Sequence, residues 1–256
     1  MSNAPAAAQA LEVLGLLSRH TEPMPAATVA ARLGLPRSST YHLLAVLQEH
    51  GSVVHYPEER RYGLGVAAFE LGSAYSRQAP LQRLARPILT RLVDETRHNA
   101  HFAVLHGNDV LYLVEERAPR RPSLVSDVGV RLPAHLAASG LAMLAALPPA
   151  QVRALYPSRS AFVLRHGTGP ASSTQLRSVL TAVRARGYAV EHGTVTPGLG
   201  SVAAAALDHA GYPSAAFAVT YEERLVDDTE EAVLAEAVVA AANALSRRIG
   251  GIRMRA

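Results

Sequence analysis

The chain has 256 residues, 49% hydrophobic and 18% charged, enough apolar material for a buried core and too much for a wholly disordered protein. It contains no Cys, which excludes disulfide frameworks, thiolate zinc sites and thiol chemistry and fits a reducing compartment. All 25 basic residues are Arg, and the net charge of +4 permits a polyanionic partner.

That surplus is not at the N-terminus. Residues 1–64 hold five Arg and five Glu, while Arg accumulates between Arg83 and Arg131 and at Arg247, Arg248, Arg253 and Arg255. Any nucleic-acid contact in the first segment must therefore come from local placement of a few groups. Leu11, Val13, Leu14 and Leu17 recur at helical spacing, predicting a helix over 6–17 that ends before Thr21-Glu22-Pro23. A second helix over 26–33 pairs Val29 with Leu33 on one face, and Gly34 supplies a stop that tolerates a left-handed backbone. After Leu35-Pro36 a third helix opens at Arg37 or Ser38. Its apolar members Thr40, Leu43, Leu44 and Leu47 leave Ser39, Tyr41 and His42 on another face. Residues 52–55 and 61–64 then read as two short strands around the turn Pro57-Glu58-Glu59-Arg60. Helix, Gly turn, helix with a polar first turn and a following hairpin is the layout of a winged helix-turn-helix.

The run Arg32-Leu33-Gly34-Leu35-Pro36-Arg37-Ser38-Ser39, followed by Leu43-Leu44 and by Tyr62-Gly63-Leu64-Gly65, resembles the recognition helix and wing of the IclR family of bacterial transcription regulators. The resemblance implies DNA binding through Arg37, Ser38, Ser39, Tyr41 and His42, with Arg60 and Arg61 reaching phosphates or a minor groove from the wing. Arg37 suits a phosphate or a bidentate guanine contact. Two positions depart from the family pattern: His42 stands where Arg is frequent, and Arg60 where a turn Gly is common. One winged module buries little surface, so a homodimer or homotetramer on a two-fold related double-stranded operator is expected.

Residues 66–77 and 81–96 read as two further helices, the first with Phe69, Leu71 and Tyr75, the second with Leu84, Ile88, Leu89 and Leu92 at helical spacing. Arg83, Arg86, Arg91 and Arg97 fall on the other faces of the second helix, as a solvated surface would require. Beyond Asn99 the pattern alternates, giving strands over 101–105, 110–114, 187–191, 201–206 and 215–220, with helices over 137–146, 150–156 and 173–186 between them. A last helix runs from Thr229 to Arg248, acidic at its start and basic at its end. The expected fold is α+β: a winged helix-turn-helix (5–65), a linker helix (66–79) and a GAF-like effector-binding and oligomerisation domain (80–250).

The small residues Ala137-Ala138-Ser139-Gly140 after a Pro-containing loop leave the amides of a helix start accessible, which suits a carboxylate and equally suits close packing on a sheet. The family resemblance implies an effector pocket here, carried onto Leu132, Ala138, Ser139, Glu191, Ser201, Ala218 and Thr220, for a small organic acid. Ser201 stands where many members have Cys and Ala218 where some have Ser. That reading gives a more apolar lining suited to a bulkier, aromatic acid. Glu191 must then be protonated or meet a ligand hydroxyl. His135 reads better as a helix cap than as a ligand contact.

Other readings carry less. His98, His101 and His106 have no spacing that enforces metal geometry. Ser139, His135 and Glu191 are the residue types of a hydrolase, without a nucleophile elbow. No phosphate-cradling Gly loop appears, so no cofactor is expected. A GAF-like interaction scaffold is the remaining alternative. No charge-free run of about 18 apolar residues occurs, and residues 1–12 lack the features of a signal peptide. The expected location is the cytoplasm, without a membrane partner.

Overall fold

The computed structural model describes residues 4–78, 80–119 and 127–251. They divide into two compact units, Met1–Ala79 and Pro80–Ala256. Arg253 and Arg255, two of the C-terminal arginines, lie outside the described residues, as does the side chain of Tyr75.

The first unit contains α1 (Pro5–Ser18), β1 (Met24–Pro25), α2 (Ala26–Leu33), α3 (Arg37–Glu49), β2 (Val53–Tyr56), β3 (Arg61–Leu64) and α4 (Val66–Gln78). Val13, Val29 and Leu44, one from each of the first three helices, are fully buried in a cluster with Leu16, Leu17, Leu47 and Val53. Burying each such side chain contributes about 1.5–3 kcal/mol, so the three-helix arrangement holds through its core. Gly34 ends α2 at φ +65°, and the Leu35 amide bonds to the Ala30 carbonyl at 3.0 Å, turning the chain directly into α3. The hairpin is joined by a third strand the sequence pattern did not disclose: β1 pairs with β3 in register Met24↔Tyr62, giving the order β1-β3-β2. Two residues are too few to show an alternation.

The second unit contains α5 (Pro80–Thr96), β4 (Asn99–His106), β5 (Asp109–Glu116), β6 (Arg131–Pro133), α6 (Ala138–Ala146), α7 (Pro149–Leu155), α8 (Ser173–Arg186), β7 (Ala189–His192), β8 (Leu199–Leu207), β9 (Pro213–Glu222) and α9 (Asp228–Arg248). Six antiparallel strands run in the order β6-β5-β4-β9-β8-β7. Helices α5 and α9 cover one face, where Phe102 and Phe217 meet Leu89, Leu92, Val238 and Leu245. Helices α6 and α8 cover the other. The central stretch Ala203–Ala206 is fully buried on both faces, and its methyl side chains let a helix lie close on either side. Strand β6 occupies what reads as a loop in the sequence, because three residues ending in Pro carry no strand signature. Asp227 and Glu230 form a reciprocal capping box that starts α9, which explains the sharp onset of the acidic pattern. No helix among the described residues is long and apolar enough to cross a membrane.

Candidate functional site

Two surfaces concentrate the chemistry, one in each unit. In the first, α3 buries Thr40, Leu44 and Leu47 and turns Arg37, Ser38, Tyr41 and His42 outward, with Tyr41 54% exposed and Ser39 half-buried at the edge. The first internal bond of this helix is Thr40 N–H to the Pro36 carbonyl, so the amides of Arg37, Ser38 and Ser39 stay outside the helical ladder at its positive end. Val46, four residues after His42 and 53% exposed, extends the same face; its helical spacing from His42 was the available signal. The wing treats its two arginines differently. Arg60 is exposed at the turn with φ +53°, the left-handed conformation that explains why a turn Gly is the common residue here. Arg61 instead donates to the Pro23 carbonyl at 3.0 Å and lies 4.0 Å from Glu22. Its guanidinium thus ties β3 to the segment before β1 while the side chain stays partly exposed.

In the second unit the sheet register builds the floor of a cavity. Glu191, Ser201 and Thr220 are cross-strand neighbours on β7, β8 and β9. One pair further along, Ala218 lies opposite His101 on β4, which in turn lies opposite Glu115 on β5. The start of α6 closes one side with Ala137, Ala138 and Ser139, and Val195, Thr196 and Leu199 close another. Ala138, Ser139, Glu191, Ser201, Ala218 and Thr220 are thus brought together. Leu132 is not: it sits on β6 opposite Val110, 2% exposed, packed into the core. A β-strand at 131–133 directs this side chain into the core, whereas a loop would have left it free to reach the cavity.

The sequence reading missed His101, Tyr112, Val195, Thr196 and Leu199. Hydroxyls of Tyr112, Ser139, Thr196, Ser201 and Thr220 border the cavity together with His101 and Glu191. These polar groups share the lining with Ala137, Ala138, Val195, Leu199 and Ala218. The Tyr112 hydroxyl lies 3.3 Å from Ser139 Oγ, and burial pushes its pKa up to about 12, leaving it a neutral donor. Ser201 Oγ and Thr220 Oγ1 share a 3.0 Å hydrogen bond. Glu191 accepts from Thr194 Oγ1 at 2.6 Å and from the Thr194 amide at 3.1 Å. Burial nevertheless raises its carboxyl above the usual carboxylate range, partly offset by the Thr194 and Ser201 hydrogen bonds. Behind the floor, Glu115 is held down at about 2 by His101, whose Nε2 is 3.7 Å away, and by Arg117 at 2.8 Å. The α6 amides of Ala138, Ser139 and Gly140 precede the first intrahelical bond, Leu141 N–H to Ala137, and belong to the positive end of the helix.

The rival constellations do not assemble. His135 Nε2 is bonded to the Val163 carbonyl at 3.1 Å, and its ring lies edge-on against Tyr156 and Phe162, which stack on each other. It neither caps α6 nor approaches Ser139, whose hydroxyl is paired with Tyr112. His98 packs against Tyr221, His101 faces the cavity and His106 meets Arg131, so the three histidines do not converge.

The family model described as the IclR helix-turn-helix domain matches residues 6–57, and that of the bacterial transcriptional regulator IclR C-terminal region matches residues 73–247. The glycerol operon regulatory protein of Streptomyces coelicolor is 31% identical over 247 residues, covering 96% of each chain. Among solved structures, the IclR transcriptional regulator of Alicyclobacillus acidocaldarius superposes with a TM-score of 0.80 at 24% identity, covering 97% of this chain and 100% of that one. An IclR homolog from Microbacterium hydrocarbonoxydans, solved in complex with 4-hydroxybenzoate, gives a TM-score of 0.74 at 22% identity over 95% and 98% of the two chains. These two likenesses carry the fold. With both halves of the chain matched, the exposed polar face of α3 is that of a DNA-binding transcription regulator and not of an enzyme, and the chain belongs to the IclR family of bacterial transcriptional regulators.

Proposed function

We propose that the protein is a ligand-responsive regulator whose α3 enters the major groove of an operator and whose second unit senses a small organic acid. The observation that carries the sensing is the cavity: a polar floor from four strands, closed at one side by the open amides of a helix start. The carboxylate would lie at those amides. Glu191, whose proton burial makes harder to lose, would donate to the acid or meet a ligand hydroxyl, with Ser201 and Thr220 beside it. The 4-hydroxybenzoate held by the Microbacterium homolog supports an acid as the ligand class.

On the DNA side, Arg37, Ser38, Ser39, Tyr41 and His42 read the operator and Arg60 contacts the backbone, while Arg61 supports the wing. Leu11, Val66, Phe69 and Leu71 are all more than two-thirds exposed in the first unit, and Val66 and Phe69, three residues apart on one face of α4, offer an apolar contact that a second copy would cover in a homodimer or homotetramer. The site of action is the cytoplasm. Ligand acts by population shift: it favours one arrangement of the assembly to the extent that it binds that arrangement more tightly.

The test is a thermal-shift screen of aliphatic and aromatic acids on the full chain, followed by operator binding to the DNA upstream of its own gene. An acid at about 100 times its Kd should add about 2.7 kcal/mol of stability and change operator affinity. If no acid alters either, the sensing assignment is wrong. If no salt-dependent complex forms on that DNA or on neighbouring operons, the operator assignment fails instead.

A further inference from the structure

We infer that the second unit carries two complementary surfaces through which copies of this chain dock: a basic groove between α7 and α8 receives the acidic ridge that α9 presents on a second copy. This rests on the homo-oligomer reading and adds to the α4 contact a separate one, in the second unit.

Charge in this unit is segregated along the chain. Residues 128–190 contain seven Arg and no Asp or Glu, whereas residues 222–236 contain seven acidic residues and one Arg. The fold turns the first segment into a groove of about 720 Å3. Its floor is apolar, from buried Tyr156, Leu176 and Leu180 with half-buried Val152. Arg153 borders it from α7, and Arg177 and Arg184 from α8. All three are exposed, and none forms an ion pair among the described residues. Arg184 Nε donates to the Ala145 carbonyl at 2.7 Å, which fixes this guanidinium at the groove. Arg177 and Arg184 are seven residues apart, about 10.5 Å along the helix axis and nearly in line.

The second segment supplies the counterpart. A depression between α5 and α9 has as its α9 wall an exposed ridge centred on Val233, which is 61% exposed. Glu230 and Glu236 lie three residues before and after Val233, about 9 Å apart along the axis, close to the spacing of the two α8 arginines. Glu95 of α5 borders the same surface. Val233 suits the leucine floor, and the carboxylates on either side of it suit the arginines; a nucleic-acid backbone would leave that floor unmatched. The two surfaces lie on opposite faces of the sheet, since α8 packs on one and α5 and α9 on the other. They cannot meet within one chain, so a second copy is the partner that brings them together. Each copy offers one of each, and a two-fold pair makes the contact twice.

Sedimentation velocity of the full chain tests this with two double variants. Arg153→Glu with Arg177→Glu, and Glu95→Arg with Glu236→Arg, each set like charges against each other in the contact. Each should weaken self-association about tenfold or more. Mixed one to one, the two variants present opposite charges again, and association should return. Unchanged association of either variant, or no recovery on mixing, overturns this contact and leaves the α4 contact standing. Phe69→Ser tests the α4 contact separately: if it changes nothing while the charge variants behave as expected, α4 fails and the groove contact holds. A wild type that stays monomeric removes both. Should a charge variant fail to fold, the absence of Cys from the chain gives a second route. Thr181→Cys in the groove and Ala240→Cys on the ridge should cross-link far more when mixed than either does alone. Cross-linking no greater in the mixture overturns the contact.

Discussion

Arg37, Ser38, Tyr41 and His42 lie on one helical stretch and face solvent, whereas the cavity of the second unit draws on residues from His101 to Thr220 that lie on separate elements and are mostly buried. The first surface needs only a correctly capped helix and a core beneath it. The second exists only once β4, β5, β7, β8 and β9 are in register under α6. Electrostatics divides them the same way. Groups on α3 meet water and counterions, so charge is cheap there and local placement suffices in an N-terminal segment with no net charge. Inside the cavity, burial raises the pKa of both Glu191 and Tyr112. A recognition face can thus be altered one residue at a time, while a buried pocket responds as a unit.

The contrast is tested most severely by Gly140→Ala. A Cβ there would stand 2.1 Å from the Ala134 carbonyl oxygen, with backbone and no flexible side chain to yield. We expect a loss of about 3 kcal/mol or more, visible as a lower Tm of the second unit, with α6 and the proposed acid site lost together. An unchanged Tm would mean that the close approach of α6 to residue 134 is not a constraint.

Arg37→Ala should do the opposite: weaken operator binding by about 1–3 kcal/mol while Tm stays unchanged, because the side chain is exposed and supports nothing. Fluorescence anisotropy at fixed salt measures the first and thermal unfolding the second. A fall in both would erase the distinction between the two surfaces.

Glu191→Gln sharpens it through pH. A carboxyl raised in the folded state binds a proton that the unfolded chain has already lost, so its ionisation lowers stability as pH climbs from the ordinary Glu value through the folded one. The same ionisation sets a negative charge beside the ligand carboxylate, so acid affinity should fall over that range. The substituted amide does not ionise, so both slopes should flatten, and persistence of the wild-type profile would remove Glu191 from the site.

The smallest effect is expected from Arg60→Gly. Removing a non-Gly residue at φ +53° should stabilise the first unit by about 0.5–1 kcal/mol. Loss of one phosphate contact should reduce the slope of log affinity against log salt by about 1. An unchanged slope would place Arg60 off the DNA.

Much of the first unit was legible because its signals are local. Gly34, the polar start of α3 and the hairpin turn each declare themselves within a few residues, and helical spacing separates Leu44 from Tyr41 without reference to anything distant. The long strands and α9 of the second unit were readable for the same reason. Strands β1 and β6 were not, being too short for an alternation to form, and the placement of Leu132 went astray with β6.

What the sequence by itself determined, then, is the order and type of the longer elements, the family, the exposed face of α3 and half of the residues that line the cavity. The tertiary structure decided the rest: that Arg61 is bound to Pro23, that His135 is held edge-on against the stacked pair Tyr156 and Phe162, and that His101 and Tyr112 join the cavity. The physical reason is that these outcomes depend on strand pairing and packing between segments far apart in the chain. Periodicity records which side of its own strand or helix a residue occupies, and only the assembled sheet determines what that side meets.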